Sequence, residues 1–337
     1  MEVLLNYLGK QSVFNIGDPS EVAAVRRAGN DMSRKAGFDD VRSGQLALII
    51  TEAATNILKH AERGEILLRS VSSGELTGVE VIAIDSGPGI SNPTLSMEDG
   101  NSSTGTYGVG LGAIRRLAHE FDMYTMLGSG TILMMLLWIT PLVVAECWQL
   151  GVVCLPYPGE DICGDAWNVI GNDKGMTVVV ADGLGHGPLA AIASGAAVAL
   201  ADMQTLPEQI LVQAHGALKG TRGAAVAVAQ AHLESGKLFF SGVGNIAGCL
   251  FDGDSRKHVM SHNGIVGSNL RKVQQFDYPW SESATLILHS DGLATRWDLE
   301  RYQGLVYCHP ALIAAVLYRD FTRGRDDVTI VVIRTAG

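Results

Sequence analysis

The chain has 337 residues, enough for two domains of ordinary size, and its 47% hydrophobic content supports a packed core in each rather than disorder. A formal net charge of −10 excludes a dedicated nucleic-acid binder, which needs a basic face. Five cysteines, Cys147, Cys154, Cys163, Cys249 and Cys308, show no Cys-x-x-Cys spacing, which excludes a zinc ribbon or a disulfide framework and fits reduced thiols in a cytoplasmic protein.

The first residues lack a basic stretch followed by a long apolar one, so no signal peptide is expected. Gln11 to Ile16 reads as a short strand. Asp18-Pro19-Ser20-Glu21 has the form of a helix start, with Asp18 as cap and Glu21 three residues on; this helix is predicted to reach about Lys35 and stop at Gly37. Asp39 or Asp40 caps a second helix, about Val41 to Ala61, with Leu46, Ile49, Ile50, Ala53, Ile57 and Leu58 at helical spacing. Strands Glu65–Val71 and Gly78–Asp85 follow, then a Gly/Ser/Pro-rich stretch from Ser86 to Tyr107. A helix is predicted from Gly110 to near Phe121, and a closing hairpin pairs Tyr124–Leu127 with Thr131–Ile139. The apolar run Ile132 to Ala145 is too short to span a bilayer and contains Pro141, so two successive buried strands are expected and no membrane insertion.

Thr140-Pro141 is the predicted domain boundary. Beyond it the pattern turns to β-segments: Leu142–Trp148, Gly151–Tyr157, Ala166–Ile170, Met176–Ala181, Ala224–His232, Lys237–Ser241, Ala247–Phe251, Thr285–His289 and Val328–Arg334. Helices are predicted at about Leu189–Met203, Pro207–Leu218 and Pro310–Phe321, giving two sheets with helices outside.

Three clusters in the N-terminal half carry chemistry. Glu52 and Asn56 are four apart on the second helix and share a face, where a carboxylate beside an amide can polarise a hydroxyl and hold Mg²⁺. Asp85-Ser-Gly87-Pro-Gly89 follows a strand, where Asp85 can accept from an adenine amino group and the glycines let backbone approach a flat base. Gly108-Val-Gly110-Leu111-Gly112 opens a helix whose amides can face phosphate. Singly, the first is an ordinary polar face and the second an ordinary turn. The third is no dinucleotide fingerprint, because the polar stretch before it is not a strand, and no Gly-Lys-Ser/Thr triplet marks a P-loop.

In this order the clusters resemble the N, G1 and G2 boxes of the GHKL ATPases, with Gly130-Thr131 as a fourth turn, over residues 10–140. TEAATNILKHAERGEI, DSGPGI and GVGLGAIRRLAHEFD look most like the RsbT-type switch-protein serine kinases. The resemblance implies Glu52 as catalytic base, Asn56 as Mg²⁺ ligand and Asp85 as adenine anchor. Lys59, Gly87, Gly89, Ser103, Thr104, Gly108, Gly110, Leu111, Gly112 and Thr131 would complete a site for ATP with Mg²⁺, and Ser102 to Tyr107 would form the lid.

In the C-terminal half four acidic positions stand in turn-like contexts: Gly164-Asp165, Asp182-Gly183, Asp291-Gly292 and Asp326-Asp327. Hard oxygen ligands suit Mn²⁺ or Mg²⁺, and two such ions roughly 3.5–4 Å apart can activate a water for attack on phosphorus. Each Asp-Gly alone is an ordinary turn. The set GEDICGDAW, VVVADGLGHGPLA, GVGNI, LHSDGL and RDDVTIVV resembles the PPM metal-dependent phosphatases of SpoIIE type, with the short RsbX-like members nearest, over residues 142–335. The resemblance implies that Asp165, Asp182, the Gly183 carbonyl, Asp291 and Asp326 hold two Mn²⁺ or Mg²⁺. Asp327 ranks behind Asp326 because many relatives have Asn there. His186 follows the Asp-Gly turn and could reach substrate or serve structure.

The expected fold class is α+β, a GHKL (Bergerat) α/β sandwich at 1–140 followed by a PPM-type αββα β-sandwich at 141–337. The expected function is bifunctional. The first half phosphorylates Ser or Thr on a STAS-domain partner, an anti-anti-sigma or stressosome scaffold protein, and the second removes such a phosphate. A downstream output enzyme is a further expected partner. The alternative is an ATP-binding module that sequesters or activates a sigma factor or output enzyme, fused to an active phosphatase. Glu52 favours catalysis, since a pure binding module needs no base there.

Overall fold

Helix α1 (Pro19–Lys35) begins with the capping box written in the sequence: the Asp18 side chain accepts from Ser20 N, and Glu21 Oε2 accepts back from Asp18 N at 3.0 Å. Pro19 occupies the first turn, where its missing N–H costs nothing. Helix α2 (Asp40–His60) is capped by Asp39, whose carboxylate accepts from Arg42 N, and it buries Leu46, Ile49, Ile50, Ala53, Ala54 and Ile57. The structure, a computed structural model, describes residues 5–74, 76–97, 110–141, 147–253 and 255–336.

The described residues up to 141, together with Leu299–Val316, form one compact unit; those from 147 to Asp298 and from Leu317 onward form the other. The first unit is built on a five-stranded antiparallel sheet in the order β1-β2-β3-β5-β4, with β1 at Leu5–Ile16, β2 at Gly64–Ser73, β3 at Leu76–Asp85, β4 at Glu120–Met126 and β5 at Gly130–Trp138. Alternation assigns the faces. Ile66, Leu68, Val79, Val81, Ala83, Leu133, Met135 and Leu137 join the core formed with α1, α2 and Ile114 of α4 (Gly110–Leu117).

The opposite face is buried too: Leu67, Ile82, Ile132, Met134, Leu136 and Trp138 are each at most 3% exposed. A buried ion pair, Arg69 Nη2 to Glu80 Oε2 at 2.6 Å, bridges β2 and β3 on this face. Segment Leu299–Val316 meets residues of the same face. Tyr302 makes an edge contact with Tyr124, and His309 N donates to Asp122 Oδ2 at 2.7 Å.

One helix ends earlier than its sequence suggests. The chain leaves α4 at Leu117, and His119 is already tied to the sheet: its N donates to Leu136 O and its Nδ1 accepts from Trp138 N. Phe121, expected at the helix end, instead pairs with Met135 in β4 and packs against the helix-side core. Pairing to β5 outcompetes one more helical turn. A short helix α3 (Pro93–Ser96), capped by Asn92, interrupts the Gly/Ser/Pro-rich stretch.

The second unit holds two five-stranded antiparallel sheets. One has the order β13-β10-β9-β8-β7, with β7 at Asp165–Gly171, β8 at Gly175–Gly183, β9 at Ala224–His232, β10 at Lys237–Val243 and β13 at Phe276–Pro279. The other has the order β12-β11-β14-β15-β6, with β6 at Trp148–Leu155, β11 at Ala247–Asp252, β12 at Ser255–His258, β14 at Thr285–His289 and β15 at Val328–Thr335. Helices α5 (Pro188–Val198) and α6 (Pro207–Ala217) pack on the first sheet through Ala193, Ala197, Ile210, Leu211 and Ala214. Helix α7 (Pro310–Phe321) completes the elements. Trp148 belongs to a single strand with Gly151–Leu155, paired along its length with β15, so the two strands expected between 142 and 157 are one strand in the described part; residues 142–146 lie outside the described residues. Strands β12 and β13 carry little apolar signal, Ser-Arg-Lys-His and Phe-Asp-Tyr-Pro, and are the outer strands of their sheets. Among the described residues no helix is long and apolar enough to cross a membrane.

Candidate ATP and metal sites

In the first unit the first and third sequence clusters meet, and the second stands at the end of β3. Glu52 and Asn56, one turn apart on α2, are half-buried. Gly110, the first residue of α4, lies against both: a Cβ there would stand 3.2 Å from Glu52 Oε2 and 3.4 Å from Asn56 Oδ1. Glycine keeps that space open and lets the N-terminus of α4 approach the carboxylate and the amide. Gly112 is buried in α4, and Leu111 packs against the core.

Asp85 ends β3 directly across from Gly64. Its Oδ1 accepts from Gly87 N at 2.8 Å and from Thr131 N at 3.1 Å, which fixes the carboxylate plane. Gly130 has φ +96 and closes against the same residue, so a Cβ there would meet Asp85 O at 2.1 Å. Thr131 Oγ1 lies 3.0 Å from Thr125 Oγ1, which accepts from Ile90 N, tying the Gly87–Gly89 turn to the β4–β5 hairpin. Lys59 is exposed in the last turn of α2, and among the described residues no contact draws it to the cluster. Ser103, Thr104 and Gly108, with the expected lid, lie outside the described residues.

In the second unit all five acidic positions stand at strand ends. Asp165 opens β7 and pairs in register with Asp182 of β8. Gly183 ends β8, its N donating to Gly164 O. Asp291 follows β14, and Asp326-Asp327 precedes β15. The carboxylates repel one another. Burial first, then the charges of Asp291 and Asp326, push Asp182 up to about 7. Burial and Asp182 push Asp165 well above the usual carboxylate range. Burial and Asp291 raise Asp326.

Asp165 Oδ2 and Asp327 Oδ2 are buried with no hydrogen-bond partner among the described residues. Such oxygens are costly unless something electropositive faces them. All-oxygen donors of this kind suit a hard divalent cation, so the residues fit Mn²⁺ or Mg²⁺. Among the described residues no three His, Cys, Asp or Glu side chains are gathered tightly enough to hold an ion by themselves.

Asn245, within the GVGNI segment, and Tyr157 and Glu160 beside the expected residues Asp327 and His186 were not singled out in the sequence. Asn245 Nδ2 donates to Asp291 Oδ2 at 2.7 Å, and the Asn245 amide works against the rise in the pKa of Asp182. Its Gly-Asn context between strands was the available clue. Asp327 is 3% exposed, and its Oδ1 accepts from Tyr157 N at 2.8 Å. Tyr157 stacks on His186, with ring centroids 5.0 Å apart, and His186 Nδ1 pairs with Glu160. The charge of His186 reaches Asp326 and tends to lower its pKa.

Residues 17–137 match the family described as Histidine kinase-like ATPase domain, and residues 172–336 match the family described as Stage II sporulation protein E. Over 132 residues the chain is 33% identical to the serine/threonine-protein kinase RsbT of Bacillus subtilis (strain 168), covering 39% of this chain and 99% of that protein. Over 138 residues it is 28% identical to the phosphoserine phosphatase RsbX of the same organism, covering 40% of this chain and 69% of that protein. A solved structure from work on the bacterial stressosome, as a modular system adapted to control secondary messenger signalling, aligns with TM-score 0.52 and 28% identity over 56% of this chain and 100% of its own. RsbX in complex with magnesium aligns with TM-score 0.51 and 24% identity over 57% of this chain and 98% of its own, a likeness of fold.

Proposed function

The chain belongs to the RsbT family of GHKL-type switch-protein kinases through its N-terminal half and joins to it a SpoIIE/RsbX-like PPM phosphatase domain, and on that premise we propose that it both adds and removes phosphate on a partner-switching protein. The assigned halves are residues 1–140 and 141–337. The partner is a STAS-domain protein carrying the Ser or Thr that the two halves modify in opposite directions, in the cytoplasm.

In the kinase half, Glu52 takes the proton of the attacking hydroxyl, a role worth typically about 10²–10⁴ in rate. Asn56 would hold Mg²⁺ beside it, and Asp85 receives the adenine amino group. The α4 N-terminus directs backbone amides at phosphate. The observation that carries this reading is the placement of Gly110 against both Glu52 and Asn56, which joins base, ligand and phosphate-facing helix end in one place.

In the phosphatase half, Asp165, Asp182, Gly183 O, Asp291 and Asp326 would hold two divalent cations. When bound, those cations supply an acidified water and Lewis acidity toward phosphoryl oxygens. Asn245 keeps Asp291 oriented, and Asp327 keeps the loop at Tyr157 in place. What this half needs from the protein is a set of carboxylates with which, among the described residues, no Lys or Arg forms an ion pair.

The test is a pair of assays on the full chain with candidate STAS proteins: transfer of radiolabel from the γ-phosphate of ATP, and release of that label with and without Mn²⁺. Transfer lost in Glu52→Ala, with ATP binding retained, supports catalysis. Wild-type binding of ATP without transfer to any STAS protein points to the binding-module alternative. Label release that continues in EDTA counts against the metal-dependent phosphatase.

A further inference from the structure

Cys154 and Cys163 are half-buried thiols nine residues apart, and their sulfurs lie 3.8 Å from each other. Cys154 is held in β6, where it pairs across the ladder with Thr329 of β15 and its Sγ accepts from Thr329 Oγ1 at 3.3 Å. Cys163 lies in the loop that follows β6, and its Sγ donates to Leu155 O at 3.4 Å. Bonded sulfurs stand about 2.0 Å apart, so an approach of about 2 Å closes a disulfide between these two.

The loop between them leads into the acidic centre. Tyr157 N donates to Asp327 Oδ1 at 2.8 Å, Glu160 pairs with His186, and Cys163 is followed directly by Gly164 and Asp165. The loop has little slack. Pro156 and Pro158 fix two of its φ angles. Gly164 O accepts from Gly183 N, and a Cβ on Gly164 would meet Asp327 Oδ2 at 2.6 Å and Ala190 Cβ at 2.9 Å. A pull on Cys163 toward β6 is therefore passed on to Asp165 and Asp327 rather than absorbed.

We propose that Cys154 and Cys163 are a peroxide-sensitive pair whose disulfide distorts the acidic centre and weakens its hold on divalent cations. The switch rests on the metal-dependent phosphatase reading. The oxidant is a hydroperoxide, hydrogen peroxide in the simplest case. One sulfur attacks a peroxide oxygen: an S–O bond forms, the O–O bond breaks, and the departing hydroxide takes the thiol proton as water. The second sulfur then attacks the sulfenic sulfur: the S–S bond forms, the S–O bond breaks, and the second thiol proton leaves with hydroxide as another water. Two thiols lose two electrons and one peroxide becomes two waters. In a reducing compartment the pair rests as thiols and closes only under oxidant. Residues 1–140 contain no cysteine, so oxidation acts on phosphate removal and leaves the ATP-binding half untouched. The balance then moves toward the phosphorylated partner.

The test treats the full chain with hydrogen peroxide and maps its unreduced peptides by mass spectrometry. A cross-link between the Cys154 and Cys163 peptides is expected, and it is expected to disappear after dithiothreitol. Isothermal titration with Mn²⁺, without nucleotide, reads the consequence. The oxidised chain is expected to bind about 10-fold more weakly or worse, the scale on which groups around metal ligands tune affinity, and to recover after dithiothreitol and desalting. Cys154→Ser is expected to bind Mn²⁺ as the native chain does and to ignore peroxide, whereas Cys249→Ser is expected to remain sensitive. No cross-link between 154 and 163 under peroxide overturns the assignment, as does an equal loss on oxidation in Cys154→Ser. A reduced native chain that binds no Mn²⁺ overturns the phosphatase reading and the switch together. A cross-linked chain that binds Mn²⁺ within twofold of the reduced one overturns the switch alone.

Discussion

Asp182→Asn is expected to abolish phosphatase turnover and at the same time stabilise the metal-free protein above neutral pH. The native carboxyl is held up to about 7 from 3.8, first by burial and then by the charges of Asp291 and Asp326. A carboxylate whose folded pKa is raised binds more protons folded than unfolded between those values, so its contribution to stability is present below about pH 4 and lost as pH rises to about 7. At roughly 1.36 kcal/mol for each pH unit between the two values, the loss has a ceiling on the order of 4 kcal/mol. Asparagine is nearly isosteric and uncharged, so it escapes that loss. The assay is urea unfolding in EDTA between pH 4.5 and 8, followed by tryptophan fluorescence. Trp148, Trp167, Trp280 and Trp297 lie in the phosphatase unit and only Trp138 in the other, so the signal reports mostly the relevant unit. With a urea slope of about 1–3 kcal/mol/M, that ceiling corresponds to a midpoint shift of at most about 1–4 M, so the variant should unfold later than the native chain at pH 8 and near it at pH 4.5. A native protein whose EDTA stability is flat from pH 4.5 to 7, or a variant no more stable at pH 8, would refute the reasoning.

Three further outcomes are expected. Asp85→Asn can still accept from Gly87 N and Thr131 N but loses its charge, so ATP affinity should fall about 10–100-fold by calorimetry while the fold is kept; unchanged affinity would remove Asp85 from the adenine site. Gly110→Ala should weaken ATP binding by crowding Glu52 and Asn56 while the fold is kept; a tighter binder would contradict the placement. Asp327→Asn should be much milder than Asp326→Asn in Mn²⁺-dependent turnover, because asparagine retains an acceptor for Tyr157 N; the reverse order would exchange the roles of the neighbours.

The elements that sequence exposed best were those whose signal is local. The capping box at Asp18 and Glu21 and the apolar spacing of α2 depend on residues within one or two turns, and both stand where expected. Glu52 and Asn56 were legible for the same reason. Their approach to Gly110 was not, because it requires α2 and α4 to pack, and no spacing within either helix encodes it. The end of α4 failed where a nonlocal pairing, His119 with β5, overrode a helical pattern. Strands β12 and β13 escaped because short outer strands bury little and leave almost no alternation to read.

At the metal centre the acidic residues were visible as Asp-Gly and Asp-Asp turns, but the groups that hold them were not, and their chemistry explains why. Among the described residues, no Lys or Arg forms an ion pair with Asp165, Asp182, Asp291, Asp326 or Asp327. A basic partner would quench the negative charge on which a divalent cation depends. Two of the carboxylates are steadied instead by neutral donors: Asn245 at Asp291 and Tyr157 N at Asp327. Asparagine and a backbone amide are common everywhere in a sequence and carry no periodic or charge signature, so only the fold reveals them. The same choice leaves the mutual repulsion of the aspartates uncompensated in the protein alone. Instability of the metal-free site at neutral pH and the affinity for hard cations proposed for it are then two consequences of one arrangement.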